Sequence, residues 1–526
     1  MKKITILLMM LLTIVLLGNT TSTYAEDTIN EKKVEEESVN TNEERPELDY
    51  NSILLTEENE KNAINAINSI ILELEKKDTS IEAELNKRIS HFESAVLETK
   101  STDEKEYAIA MLDSLKSVRD DYITYTLDYP TYEDEDVKSI TIVDPFLVYR
   151  AAISAAIAYF SLNNYDLAEE LLVHARDNDE LDSVYYPNEG SDVEYSTIYQ
   201  DIVSGTVYSG SSSFPNSGTT NDKDLYNAIH SFRFTKSESS SVVVITDRYD
   251  FALGDYGWSI PGAAVNTLYI AQQLGLLVPY FVDITLETSN STSNASDETI
   301  YVDSNYYANR YIERVLTLGK GESKEYKITF STSRTRTLQT FGHRDTYIEI
   351  YDANGTRIAY DDDDGYKTNA LKSYYFNANI EYTVKVRMYN SYKLGEVKFT
   401  IIPSNSYSTY ESIYNREGLT WTLYGITSHS RASLYTFTPT SRKVLTFETD
   451  KRPNGDYQDM YLYLIDPRHT YPMKTDSLYP HVYNDDGGGN LQSKITKDMC
   501  QDIPYLLVLT TFGSSSQNVE YLFTVD

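Results

Sequence analysis

The sequence predicts a multi-domain protein: an N-terminal α-helical bundle, an α+β middle domain and two C-terminal antiparallel β-sandwiches. Three observations carry this reading. Apolar residues recur at helical spacing through residues 56–130. Residues 140–285 mix helical stretches with alternating and continuous apolar runs of strand length. Beyond residue 298 polar and apolar residues alternate, and one motif in that alternation occurs twice.

In chain order, residues 1–25 join Lys2 and Lys3 to an apolar run from Ile4 to Leu17 and a small-residue end. That is the pattern of a secretory signal peptide. No later stretch has the length of uncharged apolar sequence that a membrane span needs, so the mature chain is expected to carry no transmembrane segment. It is expected to be secreted and extracellular, in the style of a Gram-positive exported protein. Residues 26–55 are charged and nearly free of aromatics, a disordered acidic leader. Thr56 then caps a first helix with the stripe Ile64, Ile67, Ile70, Ile71 and Leu74. Ile81, Leu85, Ile89, Phe92 and Val96 mark a second helix, and Ala108, Met111, Leu112, Leu115 and Val118 a third, giving the 56–130 bundle.

Acidic residues 133–136 separate the bundle from the middle domain, residues 140–285. Ala151 to Phe160 and Leu167 to Ala175 read as a helical hairpin resembling one tetratricopeptide unit, where a stable solenoid needs about three repeats. His174 reads as a helix-surface or satisfied core histidine. Phe232 and Phe234 alternate with polar neighbours, and Val242 to Ile245 is a continuous apolar run, so the two form an antiparallel pair. Asn266 to Leu274 is a helix stopped by Gly275, and Val278 to Ile284 a last strand. Residues 286–298 are a Ser/Asn/Thr-rich linker. Two sandwiches are expected at 299–403 and 404–526.

The repeated motif is Asp345 to Asp352, DTYIEIYD, matched by Asp459 to Asp466, DMYLYLID. Each is followed by an acidic bend, Asp361 to Asp364 in the first and Asn484-Asp485-Asp486-Gly487 in the second. Each copy closes on a strand pair, 381–388 with 397–402 and 505–509 with 521–525. Crowded carboxylates repel unless they are solvated or share a cation. The bends read either as solvated turns or as calcium sites, with Asp345, Asp362 and Asp363 in the first and Asp459, Asp485 and Asp486 in the second. On these residues the C-terminal region resembles the bacterial pre-peptidase C-terminal family, small β-sandwiches appended to exported proteins, some of which bind calcium. The second copy departs from the pattern by a longer connection containing His469, Pro472 and Pro480.

Asp247-Arg-Tyr-Asp-Phe251 resembles the D-x-Y-D-F core of colicin-M-type domains, which hydrolyse the lipid II precursor of peptidoglycan. The resemblance implies catalytic roles for Asp247, Tyr249 and Asp250. The family's His-Arg pair downstream is absent here, and His230 could approach only from a neighbouring strand. The alternative for the same residues is a strand-end turn. No HExxH or G-x-S-x-G occurs, so whether the chain is an enzyme stays open.

The formal charge of −34 argues against nucleic-acid binding, because phosphates need cationic partners. One cysteine, Cys500, excludes an internal disulfide and reads as a buried thiol. The 47 tyrosines read as half-buried sheet residues or as a sugar-stacking surface. The functional expectation is a secreted protein that binds cell-wall polymer, host surface or protein through its modules. A colicin-M-type hydrolase is the alternative.

Overall fold

The computed structural model describes residues 55–128, 144, 146–239, 241–252, 263–288, 297–302, 311–403, 411–414, 421–427, 432–450, 459–477, 479–487, 492–511 and 519–525. The expected leader, the acidic residues 133–136 and most of the linker lie outside them. The fold is mixed α/β, with an N-terminal helical part, a central sheet and a β-rich C-terminal region. Among the described residues no helix is long and apolar enough to cross a membrane.

Helices α1 (Glu57–Glu75), α2 (Ile81–Glu98) and α3 (Thr102–Asp128) carry the expected stripes. Thr56 caps α1, accepting from the Asn59 amide at 3.2 Å. Helices α4 (Leu147–Asn163) and α5 (Asp166–Asp177) form the hairpin, turning at Asn164 with a left-handed φ of 54°. Short α6 (Thr197–Ser204), α7 (Thr220–Ile229) and α8 (Ala263–Gln273) follow. The helices share one continuous core with the inner face of a five-stranded sheet. That sheet runs β1 (Val184–Tyr185), β5 (Tyr280–Glu287), β4 (Val242–Tyr249), β3 (Ser231–Lys236), β2 (Ser209–Ser213), with only β1 to β5 parallel. The pairing of β3 with β4 follows the expected pattern. Strand β2 forms the edge of the sheet beside β3, and helix α7 leads directly into β3. A capping box between Thr219 and Asp222 starts α7. Asp224 of α7 accepts from the Leu167 and Ala168 amides at 3.0 and 2.9 Å, closing the open end of α5.

Among the described residues the C-terminal region holds four sheets. In the first half β6 (Glu298–Val302), β8 (Ser323–Phe330), β13 (Glu381–Met388), β10 (Thr346–Tyr351) and β11 (Arg357–Asp361) make a five-stranded sheet. Strands β7 (Ile312–Leu318), β14 (Gly395–Pro403), β9 (Arg334–Phe341) and β12 (Leu371–Phe376) make a four-stranded one, and both feed a single apolar cluster. In the second half β15 (Glu411–Tyr414), β17 (Ser433–Thr438), β22 (Tyr505–Thr511), β19 (Met460–Ile465) and β20 (His481–Asn484) repeat the five-stranded order. Strands β16 (Trp421–Thr427), β23 (Val519–Val525), β18 (Lys443–Asp450) and β21 (Lys494–Met499) repeat the four-stranded one. The closing strands expected to pair, β13 with β14 and β22 with β23, instead enter opposite sheets. The short connection carries the chain across the core rather than back along it.

Local devices repeat with the topology. Asp361 accepts from the Asp364 amide at 3.1 Å and the Leu371 amide at 2.9 Å. Asn484 accepts from the Gly487 and Lys494 amides at 2.6 and 2.9 Å, the same offsets along the chain. The Tyr382 hydroxyl accepts from the Asn377 amide, as the Tyr505 hydroxyl does from the Cys500 amide. The bend that looked like a row of equivalent aspartates is thus organised by its first member. An Asp361→Ala substitution leaves two amides without their acceptor and is expected to cost about 1–3 kcal/mol, whereas Asp361→Asn keeps an acceptor and costs less. Urea unfolding of the two variants checks the order.

Candidate functional site: a cleft on the outer face of the central sheet

Alternation along β3 and β4 places Phe232, Phe234, Val243, Ile245 and Tyr249 with the helices, and Arg233, Thr235, Thr246 and Arg248 on the opposite face. Charges on that outer face require partners, and for Arg233 and Asp283 the C-terminal region supplies them. Glu396 of β14 receives Arg233 through two bonds of 2.8 and 2.5 Å, Thr235 at 2.7 Å, and the hydroxyl of Thr470. Asp283 of β5 faces His343 at 3.3 Å and Arg344 at 3.7 Å. Burial disfavours the charge on Asp283, but His343 and Arg344 together hold its carboxyl below the ordinary value.

The longer connection of the second half, 467–480, is the wedge in this junction. Asp466 accepts from the Arg468 amide at 3.0 Å and from its guanidinium at 3.0 and 2.7 Å. Arg468 extends to Glu180 at 2.8 Å, to the Leu181 carbonyl and to the Cys500 sulfur. Cys500 in turn donates to the Leu181 carbonyl at 3.0 Å, so the lone thiol is buried and engaged. His469 Nε2 donates to the Asp182 carbonyl at 2.9 Å, and its ring lies 4.4 Å from Phe281. Burial lowers His469 to about 4 despite the nearby Asp466. His481 Nε2 donates to the Asp466 carbonyl at 2.8 Å, which leaves Nδ1 to accept from Lys398 at 2.7 Å. Lys398, fully buried, also contacts Glu313 at 2.5 Å; burial brings it down to about 8 against the pull of that carboxylate.

Between wedge and sheet lies a cleft of about 390 Å³. Arg233, Thr246, Arg248 and Phe281 are among the residues on the sheet side; Tyr471, Pro472, Lys474, Asp476 and Tyr479 come from the wedge. The Arg233 guanidinium lies 4.6 Å over the Tyr471 ring, and Lys474 lies 5.7 Å over Tyr479. Arg248 bonds Asp182 at 3.0 Å and Asp250 beside it. Of the residues expected from sequence, Asp247 and Asp250 line the cleft. Burial, then the neighbouring Asp250, push the Asp247 carboxyl well above the ordinary value, against Arg248. Tyr249 goes to the helix side, its ring 5.3 Å from Tyr280 and 5.5 Å from Phe251. His230, at the end of α7, packs its ring 4.6 Å from Tyr226 and is not among the cleft residues. His174 stacks on Tyr185 at 3.7 Å.

Among the described residues no three His, Cys, Asp or Glu side chains converge as a metal-ligating group. Burial, then Asp362 and Asp363, raise the Asp345 carboxyl, so those three crowd one another without forming such a group. In the second half Asp485 and Asp486 follow Asn484 on its bend, and Asp459 precedes β19. Sequence reasoning missed Glu396, Arg468, Tyr471 and Tyr479. The extra length of the connection containing His469 was the signal for Arg468, Tyr471 and Tyr479, while Glu396 on β14 had none.

No family model matches the chain, and no curated protein matches it in sequence. Solved structures give slight likenesses. The pre-peptidase C-terminal domain of a Bacillus anthracis collagenase is 11% identical over 21% of this chain and 99% of its own, with a TM-score of 0.17. PliG of Aeromonas hydrophila, a periplasmic inhibitor of g-type lysozyme, is 11% identical over 20% of this chain and 98% of its own, TM-score 0.17. A putative secreted protein from Eubacterium rectale is 10% identical over 56% of this chain and 93% of its own, TM-score 0.16. Similarity this low carries no argument about function, which rests on the geometry alone.

The junction has a predicted pH dependence. His469 binds a proton near 6.5 when unfolded and near 4 when folded, so the unfolded state takes up more protons between those values. This contribution to stability is present above about pH 6.5 and is lost as pH falls towards 4. Asp466, held below its ordinary value by Arg468 and His469 in spite of burial, adds a loss at still lower pH. Protection of the described amides of residues 466–482, taken relative to the intrinsic exchange rate at each pH, is expected to fall as pH is lowered across that range, and His469→Gln should flatten the upper part. Arg468→Met strands the Asp466 carboxylate and is expected to cost about 3–5 kcal/mol in urea unfolding.

Proposed function

We propose that this is a secreted extracellular protein that holds a cell-surface polymer in the cleft between the central sheet and the 467–480 wedge. In this reading the C-terminal region is a pair of β-sandwiches of the pre-peptidase C-terminal kind, the second of which contributes the cleft wall. The observation that carries the proposal is the composition of the cleft. Its wall offers the half-buried Tyr479 ring and the exposed Lys474 and Asp476 side chains, and guanidiniums already oriented by carboxylates stand on its sheet side. Rings present flat faces to the C–H side of a sugar, and pre-oriented ion pairs offer donors and acceptors to hydroxyls without paying further ordering entropy. Retention of the full chain on purified cell wall tests it. Tyr479→Ala and Lys474→Ala, both on the accessible wall, are expected to weaken retention by about tenfold, the equivalent of about 1.4 kcal/mol. Retention unchanged in both variants would sink the cleft as the site.

One observation favours the hydrolase reading: Asp247 is pushed towards its protonated form beside Asp250, which Arg248 contacts. A carboxylic acid of raised pKa beside a second carboxyl group is a common arrangement for proton transfer. Turnover of lipid II by the full chain, lost in Asp247→Asn, would support it.

Calcium at Asp345, Asp362 and Asp363 rests on charge: a divalent cation would relieve the crowding that raises Asp345. The same expectation extends to Asp459, Asp485 and Asp486. If the sites bind calcium, millimolar calcium raises the melting temperature of the full chain relative to chelator, and Asp345→Asn reduces the difference. Identical melting curves with calcium and with chelator count against it.

A further inference from the structure

The first half encloses a positive charge that no acid of its own fold answers. Arg336 stands on β9 two residues before Leu338, so alternation turns both towards the apolar cluster between the two sheets. Register sets it between Tyr374 of β12 and Pro403 of β14, and its guanidinium lies 4.8 Å over the Phe330 ring. Arg336 is 2% exposed. Its Nε and Nη1 are enclosed without a hydrogen-bond partner, and among the described residues no carboxylate pairs with it. A ring face returns only a fraction of what removing a guanidinium from water costs.

What surrounds Arg336 adds donors and positive charge. Arg334 precedes it by two residues on the same strand. Burial, then Arg334, bring the Arg336 guanidinium down to about 9, so it is still charged at neutral pH. Thr332, at the turn into β9, holds a second enclosed group without a partner, its hydroxyl. The carboxylate that acts on the facing Tyr374 is Asp352, and the Asn354 and Thr356 amides occupy it at 2.9 and 2.8 Å. The acidic bend that begins with Asp345 follows the opposite end of β9.

A buried ion is retained where something of opposite sign meets it. Of the three guanidinium nitrogens only Nη2 keeps contact with solvent, which gives an ion its point of approach. A hydroxyl and a guanidinium can both donate to one oxyanion, whose several oxygens accept in different directions, whereas a halide offers a single centre.

We propose that Arg336, with the Thr332 hydroxyl and the charge of Arg334, binds a small tetrahedral oxyanion of the phosphate or sulfate type at this end of the first half. The site is separate from the cleft and does not rest on the reading given to it. Equilibrium dialysis of the full chain against labelled inorganic phosphate, with chelator present so that no bound calcium takes part, tests the proposal. Saturable binding is expected, displaced by sulfate and not by chloride at equal ionic strength. Arg336→Met is expected to weaken it by at least about tenfold, and Thr332→Val by severalfold. Having lost a charge that no carboxylate answers, Arg336→Met is expected to melt at or above the unsubstituted chain in chloride. If it melts below, Thr332→Val, which removes only the hydroxyl, decides in its place. No saturable binding, equal displacement by chloride, or binding indifferent to the deciding variant overturns the proposal. Loss in Lys474→Ala with none in the deciding variant moves the ion to the cleft and likewise overturns it.

Discussion

Charge that has been taken out of water at the outer face of the central sheet governs how the C-terminal region is placed. Arg233 and Asp283 stand on a face that the C-terminal halves cover, and an uncompensated buried ion costs several kcal/mol. Glu396, His343 and Arg344 meet these groups from the first half, while Arg468, oriented by Asp466, and His469 bind the 180–182 segment from the second. An apolar interface could slide; one built from directional ion pairs holds a single register. The cleft inherits its shape from that register, because its wall belongs to the same wedge that carries Arg468 and His469.

Polar burial on this scale also explains why neutral histidines sit in the junction. His469 and His481 each donate through Nε2 to a backbone carbonyl, and a ring that must accept at Nδ1 from Lys398 cannot also be protonated there. The resulting chain from Glu313 through Lys398 and His481 to the Asp466 carbonyl ties the four-stranded sheet of the first half to the wedge. Gly342 marks the closest approach. At a φ of +115°, a Cβ there would lie 2.6 Å from the Thr470 side chain.

The sequence made some of this legible and concealed the rest for a physical reason. Period-two alternation exposed β10 and β19, and helical stripes exposed α1 to α3, because each signal lies within one element. The repeat DTYIEIYD and DMYLYLID was readable, and the two halves share one strand order. Asp247 and Asp250 were visible as a motif, yet alternation alone put Tyr249 on the far side of the sheet from Arg248. The partners that shape the cleft were hidden, since Arg233 meets Glu396 across 163 residues and Arg468 meets Glu180 across 288. No local pattern encodes such pairs. The departure of the second copy from the first was the place to look, for an insertion in a sheet protein is a surface that the sheet itself does not require.

The fate of Cys500 has a consequence for manufacture of the protein outside its cell. Its sulfur is enclosed, donates to the Leu181 carbonyl and receives Arg468, and burial raises the thiol above its ordinary value. A thiol kept protonated and out of solvent is a poor substrate for exchange or oxidation. With no other cysteine in the chain, the fold has no covalent cross-link to form correctly or to lose. The fold can therefore form at any redox poise, and its durability is left to packing and to the ion pairs of the junction.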